Sequence, residues 1–257
     1  MLLLTNDDGV HAPGLQHLAA HLRAHLPGGA DLMVVAPEEE QSAKSHALTL
    51  HHPLRHRDLG QGCHAVSGTP ADCVYVAVHH LCPAPPELVV SGINLGCNVG
   101  DDVLYSGTVA AAREGALLGF PAMAISLHVR RGGGALHREA YQWETAALLA
   151  ARVIGLMRQD PLPPRTLLNL NVPDLPIEAV RGLQLAPLGR REYLPGVKAN
   201  RDPRGREYLW IGGEFSRFHG GPHTDGELVE RGFATLTPLQ PDTTDHDGLE
   251  QMQGWSL

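Results

Sequence analysis

Two adjacent carboxylates stand near the start of the chain. Asn6-Asp7-Asp8-Gly9 follows the apolar run Leu2–Thr5, and paired aspartates beside a glycine that frees the backbone suit a hard divalent cation. Mg²⁺ and Mn²⁺ take oxygen ligands, often one or two carboxylates with water and phosphate completing the shell. Asn, Asp and Gly are equally what a plain turn uses. Glu38-Glu39-Glu40-Gln41-Ser42 follows a second apolar run. The hydroxyls of Ser42 and Ser45 are further oxygen donors, and a solvated acidic loop with a capping serine has the same composition. A third stretch, Ser91–Gly100, holds three glycines and two asparagines, Asn94 and Asn98. Asparagine oxygens ligate cations, its amides donate to phosphate, and glycines let backbone N–H groups approach an anion. A flexible loop is the competing reading. The stretch has neither the Gly-Lys-Ser/Thr closure of a P-loop nor the G-x-G-x-x-G of a dinucleotide site. Ser106-Gly107-Thr108 then opens an alanine-rich segment, where hydroxyls and free N–H groups form an anion site or an ordinary N-cap.

Singly, each stretch has a bland explanation; the set is what points to chemistry. Asp7, Asp8, Ser42 and Asn94 make a hard-cation half. Asn98, Ser106, Gly107 and Thr108 make a phosphate half. A cation beside a phosphate site predicts phosphoester hydrolysis, because the ion polarises the phosphoryl oxygen and lowers the pKa of a bound water.

These residues need a scaffold that brings them together. Short apolar runs at Leu2–Thr5, Leu32–Ala36, Ala47–Leu50, His64–Val66, Glu87–Ser91, Ala122–Leu127 and Leu167–Asn171 read as strands. Helical spacing predicts helices over Gly14–Leu26, Ala71–His80, Thr108–Leu118 and Arg138–Met157, the last after a loop at Gly132–Gly134. Strands alternating with helices predict a Rossmann-like α/β fold, a mostly parallel sheet with helices on both faces. In such folds ligands sit at the carboxyl ends of strands, where the three polar stretches fall. Residues 1–172 are therefore expected to form the catalytic core. From Pro173 the texture turns rich in Pro, Gly and Arg. Residues 173–257 read as a C-terminal extended arm with strands at Glu207–Ile211 and Phe233–Thr237 and a closing helix at Asp245–Met252, an arm suited to packing on a partner subunit.

Composition narrows the partners. Of 257 residues, 20 are Lys or Arg and 28 are Asp or Glu, a formal charge of −8. That excludes a generic nucleic-acid coat, which needs a basic face, but not a local site for one phosphorylated ligand. No apolar run reaches the ~18 residues of a membrane span, and Leu2–Thr5 has no basic residues before it, unlike a signal peptide. The four cysteines, with no C-x-x-C, suit a reduced cytoplasmic setting. The sixteen histidines are scattered, and most read as surface residues.

The stretches LLLTNDDGVHAPGLQ, VVAPEEEQSAKSHALTL, GTPADCVYV, VVSGINLGCNVGDDVLYSGTVAAAREGALLGFPAMAIS and LLNLNVP, with a weaker TDGELVERGFATLTPLQPDTTD, resemble the SurE family of stationary-phase survival proteins, metal-dependent nucleotidases, over nearly the whole chain and in the expected order. The resemblance implies a Rossmann-type fold with an extended C-terminal arm that helps build homodimers or homotetramers. It implies one divalent ion, Mg²⁺ or Mn²⁺, and hydrolysis of nucleoside 5′- and 3′-monophosphates, with short polyphosphate a substrate of some members. By motif position the family's metal ligands fall on Asp7, Asp8, Ser42 and Asn94, and its phosphate loop on Asn98 and Ser106–Thr108. Glu38-Glu39-Glu40 and Lys44 depart from the family's pattern, which bears on substrate preference more than on metal binding. Lys44 is expected to balance the glutamates.

Two chemical routes fit: in-line attack by water on the cation, or Asp7 or Asp8 acting as base or nucleophile. A phosphatase of the haloacid dehalogenase type is the first rival, but it wants Asp-x-Asp after the first strand. A non-catalytic nucleotide-binding module is the second, and retention of all four proposed ligands argues against it.

Overall fold

In a computed structural model of the chain, residues 1–26, 31–129, 141–194, 196–212 and 214–255 are described. Thirteen strands and six α-helices run in the order β1 (Leu2–Thr5), α1 (Pro13–His25), β2 (Leu32–Pro37), β3 (His56–Gly60), β4 (Cys63–Val66), α2 (Pro70–Val76), β5 (Leu88–Leu95), α3 (Gly107–Leu117), β6 (Ala122–His128), α4 (Trp143–Gln159), β7 (Leu167–Pro173), β8 (Leu183–Leu185), β9 (Arg190–Leu194), β10 (Val197–Arg201), β11 (Glu207–Ile211), β12 (Glu214–His219), α5 (Asp225–Glu230), β13 (Ala234–Leu239) and α6 (His246–Met252).

Nine strands form one sheet in the order β3-β4-β2-β1-β5-β6-β7-β13-β8. Its centre, β4 to β7, is parallel throughout. β3 closes one end antiparallel to β4, and β13 runs antiparallel to β7 at the other. Alternation along each strand sends side chains to opposite faces. Leu2 and Leu4 join one apolar cluster with Leu15, Leu18 and Leu22 of α1 and Ala147 and Ile154 of α4. Leu3 joins a second with Val74 of α2 and Val109 and Ala112 of α3. Leu2, Leu3 and Leu4 are all fully buried, each contributing roughly 1.5–3 kcal/mol by leaving water. Helices on both faces are thus why the central strands read as unbroken apolar runs.

Several expected elements differ in the structure. Ala47–Leu50 is not a strand. It is loop, with Leu50 80% exposed, and its Thr49 is tied to Asp72. The helix expected to His80 is α-helical only to Val76 and continues as a π-helical segment, Ala77–Leu81. β5 runs on to Leu95, so Asn94 stands at a strand end rather than in a loop. The long fourth helix begins at Trp143; residues 138–140 and the loop expected at Gly132–Gly134 lie outside the described residues. The C-terminal segment contributes β8 and β13 to the main sheet and forms two further pairs, β10–β11 and β12–β9.

Candidate active site

The carboxyl ends of β1, β2, β5 and β6 open onto one cleft of about 760 Å³. Of the eight residues singled out in the sequence, Asp7, Asp8, Ser42, Asn94, Asn98 and Ser106 line it. Gly107 and Thr108 lie buried behind Asp7. Three segments remote in sequence therefore meet at the sheet edge.

Local chemistry fixes each segment. Gly9 takes a positive φ of 101° that closes the turn after β1, and Asn6 Nδ2 donates to its carbonyl at 2.8 Å. Gln41 N–H donates to the Asp7 carbonyl at 2.7 Å, joining the second loop to the first. That second loop is anchored at three further points. Ser45 Oγ donates to the Leu104 carbonyl at 2.6 Å, His46 Nε2 meets Glu114 Oε2 at 2.7 Å, and Thr49 Oγ1 donates to Asp72 Oδ2 at 2.6 Å. Asp72 also completes a capping box with Thr69 at the start of α2, so one buried carboxylate caps a helix and holds the loop that carries Ser42.

Behind the carboxylates stands the start of α3. Ser106 is its N-cap and accepts from Val109 N–H at 3.0 Å. Thr108 is not the cap. Its Oγ1 donates to Asp7 Oδ1 at 2.5 Å, so it orients the carboxylate. Gly107 is required by contact: a Cβ there would lie 2.8 Å from Asp7 Cβ. Asn98 is held on every side. Its Nδ2 donates to Ser126 Oγ, its N–H donates to Asn171 Oδ1, and its carbonyl accepts from Asn169 and Asn171, all at 2.8–3.0 Å.

The electrostatics fit a cation. Burial raises the Asp7 carboxyl above its ordinary range against the pull of Thr108, and Glu40 adds to the rise. Asp8 is pushed up to about 7, by burial first and then by Asp7 and Glu40. Two buried carboxylates that repel one another are costly until a positive charge joins them. Asn6 Oδ1, buried beside them, has no hydrogen-bond partner among the described residues. The donors Asp7, Asp8, Ser42 and Asn94 are oxygens, the class hard divalent ions take. Ser42 Oγ currently donates to Glu40 Oε1 at 2.8 Å, and Asn94 spends its amide donor on the Gly96 carbonyl at 2.6 Å.

The remaining wall was not legible in the sequence. Arg191 lies over the rings of Tyr193, Phe215 and Phe218 at 5.1, 4.9 and 5.8 Å. Asp102 accepts from Arg191 at 2.5 Å and from Tyr193 at 2.8 Å. All five line the cleft, as do Cys97, His128 and Glu230. Arg191, Tyr193, Phe215, Phe218 and Glu230 arrive from the C-terminal segment, which lacks a clear period; Cys97 lies in a stretch read for its asparagines and glycines, Asp102 just beyond it, and His128 ends β6. Asn169 and Asn171 carried one signal: polar residues alternating inside the apolar run LLNLNVP. Glu38 pairs with Arg57 at 2.9 Å rather than with Lys44.

An open α/β sheet with a carboxylate-rich cleft at the carboxyl ends of its strands defines a class, that of Rossmann-like sheet proteins that bind their ligands there. Comparison with known proteins narrows it. A family model described as survival protein SurE matches residues 2–195. A protein named 5′-nucleotidase SurE from Citrifermentans bemidjiense is 46% identical over 256 residues, covering 100% of this chain and 99% of its own. Its namesake from Pseudomonas putida is 45% identical over 254 residues, covering 99% and 97%. The crystal structure of the SurE protein from Aquifex aeolicus superposes with a TM-score of 0.81 at 35% identity, over 98% of both chains. The chain belongs to the SurE family.

Proposed function

We propose that the protein is a 5′-nucleotidase, a phosphomonoesterase that hydrolyses nucleoside 5′-monophosphates to nucleoside and phosphate. The observation that carries this reading is the meeting of Asp7, Asp8, Ser42 and Asn94 with Asn98 and Ser106 in one cleft, in a chain 46% identical to a protein of that name. A divalent ion, Mg²⁺ or Mn²⁺, held by Asp7, Asp8, Ser42 and Asn94, would supply Lewis-acid polarisation of the phosphoryl group. Thr108 holds the Asp7 carboxylate in one orientation. Asn98 and Ser106 present polar groups to the phosphoryl oxygens, where fixed donors stabilise charge spreading onto them. The Asp8 carboxyl sits at about 7 without a cation, and a divalent ion beside it would lower that value and keep it an ionised ligand. The aromatic wall of Tyr193, Phe215 and Phe218 with Arg191 suits the flat nucleoside end, since rings and guanidinium planes stack on bases.

The same cleft would accept 3′-monophosphates and short polyphosphate, whose phosphoryl group is the same. In this reading residues 1–172 supply the metal and phosphate groups of the catalytic core, while residues 173–257 add β8 and β13 to the sheet and one wall to the cleft, with the β10–β11 hairpin as the assembly arm. A homodimer or homotetramer is supported by the hairpin β10–β11, which leaves Val197, Leu209, Trp210 and Ile211 exposed. Four free thiols suit a cytoplasmic setting.

Phosphate release from AMP and GMP, with Mg²⁺ or Mn²⁺ and against an EDTA control, tests the function. Release that EDTA abolishes is expected. No release with any divalent ion would leave a nucleotide-binding module instead.

A further inference from the structure

We propose a second cation site, for a zinc-class transition metal, built from His21, His25 and Glu144 on the face of the sheet that carries α1 and α4. His21 and His25 are four residues apart on α1, so their side chains stack one turn above the other. Their rings are 4.5 Å apart. Glu144, in the first turn of α4, reaches across, and its Oε1 meets His21 Nδ1 at 2.8 Å. The three potential ligand atoms lie within 4.8 Å of one another. A tetrahedral ion with bonds of ~2.0–2.2 Å holds its donors about 3.3–3.5 Å apart. An ion requires the Nδ1–Oε1 pair to open from 2.8 Å and the wider distances to close, and both movements fall on His25 and Glu144, which are exposed, while His21 is 95% buried by the helix packing and is the fixed member.

His21 has little to give up on ligation. Among the described residues its Nε2 has no hydrogen-bond partner, and its Nδ1 has only Glu144. An ion placed between Nδ1 and Oε1 takes over the position of the proton they now share. His25 is the last residue of α1, where the negative pole of the helix favours a cation. Three protein ligands leave a fourth position for water.

The donor set also sorts the metals. Two imidazoles and a carboxylate suit Zn²⁺, Ni²⁺ or Co²⁺, whereas the all-oxygen set of the cleft suits Mg²⁺ or Mn²⁺. The two sites therefore need not compete for one ion. An occupied second site would pin α1 to α4. The sequence conceals it because the acid is 123 positions from His21, so the H-x-x-x-H spacing has no acidic neighbour along the chain.

The test is titration of the full-length, chelator-stripped protein with Zn²⁺ by calorimetry in excess Mg²⁺, with Co²⁺ absorption as the coordination readout. Wild type is expected to bind one Zn²⁺ in excess Mg²⁺, to give the visible bands of four-coordinate Co²⁺, and to gain thermal stability with Zn²⁺. His25→Ala and Glu144→Gln are expected to weaken that binding by at least roughly tenfold, since changes even in outer-shell partners of a metal cost that much. Both should hydrolyse AMP with Mg²⁺ at the wild-type rate, which shows that fold and cleft are intact. Zn²⁺ binding unchanged in both variants, or lost in Asp8→Asn instead, would overturn the proposal, as would the absence of any Zn²⁺ binding in excess Mg²⁺.

Discussion

Asp7 and Asp8 are neighbours in sequence with different surroundings. Asp7 is 4% exposed and bonded to Thr108; Asp8 is less buried and its carboxyl sits at about 7. Asp8→Asn removes a charge from the proposed cation site and no core volume. A fall in kcat of at least ~100-fold is expected, because outer-shell changes alone cost 10–100-fold. The unfolding midpoint should hold or rise, since the substitution relieves repulsion with Asp7; near-native AMP turnover would show the metal site to be elsewhere. Thr108→Ala acts one step further out. Ser106 provides the helix cap, so losing Thr108 costs no cap. It frees Asp7 to rotate and strips a buried carboxylate of one donor, a loss of ~1–3 kcal/mol in stability with a kcat defect of about tenfold or more. Thr108→Ser keeps the donor and should restore kcat, which separates an orienting hydroxyl from mere packing.

At the scale of the element, the start of α3 is fitted to the end of β1 by a missing side chain. An alanine at 107 would gain ~1 kcal/mol of helix propensity over glycine. Its Cβ, however, would stand 2.8 Å from Asp7 Cβ and 2.9 Å from Asp7 Oδ2, closer than atoms sit. Gly107→Ala is therefore expected to displace Asp7 and lower kcat at least tenfold with no gain in thermal stability, read by steady-state kinetics alongside a melting curve. What could be read from the sequence follows from the same local physics. The central strands were legible because burial on both faces makes them unbroken apolar runs. The polar loops stood out because they follow those strands, and their convergence follows from the parallel topology. Ala47–Leu50 misled because an apolar pair beside Thr49 looks like a strand, whereas Asp72 holds that segment as loop. Asp72, Glu114, Asn169 and Asn171 escaped assignment because their roles depend on partners 23 to 73 positions away. The role of Arg191 likewise depends on Asp102, 89 positions away.

Across the whole molecule, the C-terminal segment is joined to the cleft by charge. His128 at the end of β6 meets Glu230 at the end of α5 at 2.7 Å. Burial disfavours a charged imidazole, but Cys97 and Glu230 outweigh it and raise His128 from 6.5 to about 9. A pKa raised on folding stabilises fully below the unfolded value and is lost as pH rises through the folded one. The stability advantage of wild type over His128→Gln, from urea unfolding, should be flat below pH 6.5 and decline towards pH 9. An advantage that grows with pH would contradict the pairing. The assembly proposed for the arm would extend the same dependence to a second copy. A two-stranded hairpin is marginal by itself in water, yet β10–β11 presents Trp210 at 66% and Ile211 at 94% exposure. Alternation puts Trp210 on one face and Leu209 and Ile211 on the other, so a covering partner has to wrap the ribbon. Interfaces concentrate their energy in buried aromatic anchors. Trp210→Glu is therefore expected to shift the protein from oligomer to monomer in sedimentation velocity. Its folded core should stay intact, because the hairpin contributes no strand to the main sheet. A wild-type protein that sediments as a monomer would remove the arm's proposed role and leave the nucleotidase reading standing.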